Sequence, residues 1–181
     1  MLIEIIKKNP ILSLSLRPDC KEHDVCVEVD SSVSTEDYLI IDVDHYYKSL
    51  HLEKTPASPD CLIIQKCADN TFSIYVVELK DIKAKESLPK ENTREKFETC
   101  LNDFMRGRFR SIFYETEYEI GRVALYLVTD LYNQLSNADR QRKTKNTKLD
   151  ALLAMNTKPY YFHGKRYAIR HEWPNPLIKP C

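Results

Sequence analysis

The stretch from Cys61 to Lys80 constrains this chain most. An apolar run, Cys61-Leu-Ile-Ile-Gln-Lys-Cys67, is followed by Ala68-Asp-Asn-Thr71 and then by a second run, Phe72-Ser-Ile-Tyr-Val-Val-Glu-Leu-Lys80. Two such runs around an Asp-Asn turn specify a β-hairpin. With the turn centred on Asp69 and Asn70, antiparallel pairing sets Asp60 opposite Leu79 and beside Glu78 and Lys80. Glu78 and Lys80 are two residues apart and share one face of the strand, while Leu79 points into the opposite layer. An apolar strand therefore ends in two charged groups on one side.

Around the hairpin the pattern is that of one α/β domain spanning residues 1–181, with a central mixed sheet flanked by helices on both sides. Val25 to Val29 and Tyr38 to Val43 read as strands, as does the alternating Ile11 to Leu16, whereas Leu2 to Lys8 fits either a short helix or an edge strand. His45 to Leu50 fits a turn of helix. Phe97, Cys100, Leu101, Phe104 and Met105 recur at helical spacing, with Asn92 and Glu95 as a capping-box-like start and Gly107 as a stop. A buried strand is expected over Val123 to Thr129, short helices around Leu131 and from Leu149 to Met155, and a terminal hairpin turning at Gly164. A core over about 25–130 and a basic part over about 138–181 are expected.

Two carboxylates converging at a sheet end repel unless a cation lies between them. Hard oxygen ligands in this number suit Mg²⁺, with Mn²⁺ as a substitute. The main-chain carbonyl of Leu79 offers a further ligand, and Lys80 would lie where it can orient or deprotonate an attacking water and stabilise charge on a phosphate. The plainer alternative has Asp60 capping a turn and Glu78 pairing with Lys80 or Lys83 at a solvated strand end.

Pro59-Asp60, seventeen residues, then Glu78-Leu79-Lys80 resembles the motif of the PD-(D/E)XK nucleases. The likeness is close over Pro59 to Lys80, and elsewhere extends only to element order. It implies a restriction-endonuclease-like fold in which Asp60 and Glu78 bind the metal and Lys80 assists the nucleophilic water. It further implies Mg²⁺-dependent hydrolysis of phosphodiester bonds in double-stranded DNA, most like a type II restriction endonuclease, and a homodimer that cuts both strands. The family often adds an acid from an N-terminal element; Glu28, Glu36, Asp42 and Asp44 are candidates, and Asp42 and Asp44 read equally as an acidic loop.

Charge is distributed in keeping with that expectation. The formal total is zero, but Asp19 to Asp60 holds eleven acids against three Lys or Arg, and Arg140 to Cys181 holds ten Lys or Arg against two acids. DNA binding needs local cations rather than a positive total. Candidate phosphate or base contacts are Arg106, Arg108 and Arg110, then Arg140, Arg142, Lys143 and Lys145, and Lys165 and Arg166 on the terminal hairpin. Each basic segment reads equally as a solvated helix end, a surface loop or an exposed polar face.

Other classes lose support. Three glycines leave no Gly-rich phosphate cradle, and no apolar run approaches the roughly 18 residues of a membrane span. The six cysteines show no zinc-finger spacing, and the N-terminal lysines follow rather than precede their apolar stretch, so unpaired thiols in the cytoplasm are expected. No serine or cysteine sits in a recognisable nucleophile context. Two rivals remain: a repair, junction or mobile-element nuclease of the same fold, and a non-catalytic module that binds nucleic acid or protein.

Overall fold

The computed structural model describes residues 2–68, 70–81, 90–115, 117–130 and 158–181. Its centre is a six-stranded sheet ordered β1-β4-β5-β6-β7-β10. Strands β4 (Tyr38–Asp42), β5 (Cys61–Ala68) and β6 (Thr71–Lys80) run antiparallel in sequence, with β1 (Leu16–Arg17) antiparallel at one edge. The long β7 (Glu119–Thr129) lies parallel to β6, and β10 (Ile169–Glu172) lies parallel to β7, so the sheet is mixed.

Parallel neighbours need a crossover. Between β6 and β7 the described part of that crossover is α3 (Lys90–Glu98), a π-helical continuation over Thr99–Arg108, and α4 (Arg110–Phe113). Phe97, Cys100, Leu101, Phe104 and Met105 form its buried face, as the helical spacing predicts. They pack on Leu62, Ile64, Ile74, Val76, Leu125 and Leu127 together with α1 (Leu2–Lys8) and α2 (Val43–Ser49). The helix begins before Asn92, which lies inside the first turn rather than capping it.

Helices on both sides were expected. Among the described residues they cover one face only, and the other face carries a three-stranded sheet, β11-β3-β2, made of β2 (Cys20–Glu22), β3 (Val25–Val29) and β11 (Leu177–Ile178). Val25, Val27 and Ile178 there meet Ile63, Tyr75, Val77, Leu79, Ala124 and Val128. Residues of alternate parity thus feed two separate cores, which is why β5 and β6 are apolar along nearly their whole length. The helices expected around Leu131 and Leu149 to Met155 lie outside the described residues.

Two further expectations are corrected. Ile11 to Leu16 is not a strand: Asn9 Oδ1 accepts from the N–H groups of Ile11 (3.0 Å) and Leu12 (2.9 Å), and Leu12–Ser15 winds into a 3-10 turn. Leu12 and Ser15 are buried while Leu14 is 77 % exposed, a period of three rather than two. The cysteines are not all unpaired: Cys20 bonds to Cys61 and Cys67 to Cys181, leaving Cys26 and Cys100 free. Both bonds leave β5, one from each end, and hold the small sheet and the C-terminal tail against the central one.

The terminal hairpin is β8 (Tyr160–Phe162) and β9 (Lys165–Tyr167), turning through His163 (φ 46°) and Gly164 (φ 71°), where glycine tolerates the left-handed backbone freely. β10 and β11 follow, so the basic C-terminal part supplies an edge strand to the central sheet and another to the small one.

Candidate active site

Register decides where the three motif residues fall. From Thr71 the hairpin starts as Ala68 opposite Thr71, but Cys67 is bulged out, and from Lys66 opposite Phe72 onward the pairing is shifted by one. Cys61 therefore faces Val77, and continuing by one residue sets Asp60 opposite Glu78 rather than opposite Leu79. The bulge corrects the expected register and brings both carboxylates to the same side of the sheet, since directly opposed residues share a face. The charge of Asp60 accordingly raises the affinity of Glu78 for a proton. Leu79 points the other way into the second core, as expected, and its N–H donates to Asp60 Oδ2 at 2.7 Å. That bond pins the Asp60 carboxylate at the mouth of the hairpin.

Glu78 is 0 % exposed. Its Oε1 receives two ammonium groups, Lys80 Nζ at 2.6 Å and Lys96 Nζ at 2.7 Å. Its Oε2 is buried without a hydrogen-bond partner among the described residues. Burial, with the Asp60 charge adding, pushes the Glu78 carboxyl up to about 7 against the pull of both lysines. Burial works against the charge on Lys80, yet Glu78, Asp60 and Glu22 outweigh it and hold that ammonium above its ordinary value. Of the plainer alternative, the pairing of Glu78 with Lys80 is present and Lys83 lies outside the described residues, but the carboxylate is buried rather than at a solvated strand end.

Lys96 and Glu22 escaped the sequence reading. Lys96 precedes Phe97 on α3, and only the docking of that helix on β6 brings it to Glu78; Glu22 reaches Lys80 through β2, on the small sheet. Of the N-terminal acids proposed as extra ligands, Asp42 and Asp44 are already engaged. Asp42 caps α2 by accepting from the His45 N–H at 2.7 Å and pairs with Arg17 at 3.3 Å, and Asp44 pairs with Lys48 and accepts from Ser58. Glu28 lies near the Cys26 thiol, and Glu36 is exposed.

Among the described residues no cluster of three or more His, Cys, Asp or Glu is gathered as a metal cage. Two carboxylates, one of them with a buried oxygen lacking a partner, nevertheless fit Mg²⁺, which keeps several waters and takes one or two carboxylates from the protein. Asp60 and Glu78 would hold it.

The basic candidates divide. Arg106 is exposed and stacks over the Tyr114 ring at 5.8 Å; Tyr114 in turn stacks on His163, at 4.2 Å, in the turn that leads to Lys165 and Arg166. Two basic segments distant in sequence thus meet through one aromatic stack. Arg108 is bound to Asp103 and Arg110 to Glu115, both at 2.7 Å, which neutralises them locally. Arg140, Arg142, Lys143 and Lys145 lie outside the described residues. No helix among the described residues is long and apolar enough to cross a membrane. Compared with family models, with curated proteins and with solved structures, the chain matches none.

Proposed function

We propose that this chain is a Mg²⁺-dependent endonuclease of the PD-(D/E)XK type that hydrolyses phosphodiester bonds in double-stranded DNA, acting as a type II restriction enzyme. One observation carries the reading: Asp60 and Glu78 share the mouth of one hairpin, with Glu78 fully buried, one of its oxygens unpartnered, and Lys80 beside it. In this reading Asp60, Glu78 and the Leu79 carbonyl hold the cation, which when bound supplies Lewis-acid polarisation of a phosphate and of water. Lys80 orients the attacking water and offsets charge gathering on the phosphate oxygens. Lys96 favours the ionised form of Glu78 and fixes it in one rotamer. Arg106, Lys165 and Arg166 give the DNA backbone a basic approach.

The test is cleavage of mixed plasmid and phage DNA with Mg²⁺, with EDTA, and with Lys80→Ala in parallel. Discrete Mg²⁺-dependent fragments, lost in the variant, are expected; a smear instead points to a repair-type nuclease of the same fold. A binding module has one observation in its favour, namely that two ammoniums already satisfy Glu78 Oε1. DNA retention without any cutting would select it.

A further inference from the structure

The face that carries Glu78 and Lys80 continues across two more strands. In the β6–β7 register Lys80 lies beside Thr129, and in the β7–β10 register His171 lies beside Leu127, on the same face as Ile169 and Leu125. The buried Thr129 hydroxyl meets His171 Nε2 at 2.9 Å, and the imidazole is held edge-on against Trp173, at 4.5 Å between ring centres. In the sequence His171 reads only as one of several polar residues of the C-terminal stretch that could enter a groove, and Thr129 only as the end of a buried strand; the parallel pairing of β10 on β7 joins them.

Resting on the nuclease reading, we propose that Thr129 and His171 form a phosphate-binding subsite that seats the DNA backbone beside the scissile phosphate. Neighbouring strands lie about 5 Å apart, so β10 runs about 10 Å from β6. That separation covers two to three nucleotide rises of about 3.4 Å along one strand. Thr129 fixes the ring through Nε2, leaving Nδ1 as the nitrogen for a phosphate oxygen. Burial pulls the His171 imidazole down to about 4, so it contacts the backbone as a neutral hydrogen-bonding group. Such a contact positions DNA without adding to the salt dependence that phosphate–cation pairs produce.

Trp173 is the chain's single tryptophan and lies against the ring in question, so its emission reports this spot alone. The experiment titrates a duplex into the full chain with Ca²⁺ in place of Mg²⁺, reading Trp173 fluorescence and gel mobility together, and then measures cleavage with Mg²⁺. In the wild type Trp173 emission should change saturably at the DNA concentration that shifts the band. His171→Ala and Thr129→Val should each weaken binding and raise KM about tenfold, with kcat within about threefold, the double variant being no worse than either single one. Thr129→Ser, which keeps the hydroxyl, should behave as wild type. A band shift with unmoved Trp173 emission would overturn the subsite and leave the nuclease reading standing. So would cleavage by His171→Ala at unchanged KM, or a fall in kcat alone. A wild type that neither binds nor cuts DNA removes both.

Discussion

Replacing Glu78 by Gln should change how stability depends on pH, and the structure fixes both sign and size. The folded protein holds a proton on Glu78 up to about pH 7, whereas the unfolded chain releases it near 4.5. Where the native state binds more protons, stability falls as pH rises, so this group alone removes about 3 kcal/mol across that window. His171 acts oppositely. Its imidazole takes a proton near 6.5 when unfolded and only near 4 when folded, so stability rises by about 3 kcal/mol between those values. The two slopes nearly cancel between pH 4.5 and 6.5 in the wild type. Glu78→Gln deletes one of them and exposes the other. Urea unfolding in EDTA at half-unit steps from pH 4.5 to 8 should show the variant gaining on the wild type by about 3 kcal/mol over the range, most of it before pH 7. A difference between the two proteins that stays constant with pH would refute the argument. Mg²⁺ binds the ionised carboxylate, so adding it should stabilise the wild type at pH 8 far more than at pH 5, and leave Glu78→Gln unchanged.

Further consequences can be checked on the same preparation. The disulfides close loops of 41 and 114 residues, so loop entropy predicts losses of about 4 kcal/mol for Cys20→Ser and about 5 for Cys67→Ser, read as urea midpoints, with only the double variant no longer responding to reductant. Phe104 is fully buried between Tyr46 and Phe109, and Phe104→Ala should cost about 3–5 kcal/mol with the m-value unchanged. Arg106→Ala should weaken duplex binding and lower the salt slope by about one, while Arg110→Ala, already paired with Glu115, should move neither; equal effects would show that the aromatic stack does not mark the DNA path.

What is legible in the sequence is whatever depends on local periodicity. The hairpin, the inward Leu79, the shared face of Glu78 and Lys80 and the buried side of the 97–105 helix all follow from periods of 2 and 3.6. What went wrong depends on partners far along the chain. The bulge at Cys67 sits where that residue bonds to Cys181, and it moves Asp60 by one position against β6. Disulfide pairing follows strand order, which cysteine spacing does not encode. The short Leu-Ser alternation of 12–16 fits a strand and a 3-10 turn alike, and Asn9 decides between them through two backbone hydrogen bonds. Lys96 and His171 are ordinary polar residues of a helix and an edge strand until tertiary packing aims them at Glu78 and Thr129.

Stability alone is a poor account of Glu78. A buried carboxylate is tolerated when all its lone pairs are met, and removing it from water is otherwise costly. The fold provides two ammoniums, enough to serve both oxygens, yet Lys80 and Lys96 converge on Oε1 and leave Oε2 bare. An apolar residue would fill the same place in the helix-facing core at lower cost, as Val76 does one step back along the strand. Asp60 compounds the cost, because its charge opposes the ionisation of Glu78 and the Leu79 N–H holds the carboxylate in place. Each of these features is unfavourable by itself and would become favourable with a divalent cation held between that oxygen and Asp60, as the proposed function requires. The same reasoning separates Lys80 from Lys96. Lys80 sits at the strand end, a quarter exposed, and can turn toward a substrate. Lys96 is the more enclosed of the two, at 16 %, and is anchored on a packed helix, so its office is to favour the charged form of Glu78 and hold it in place.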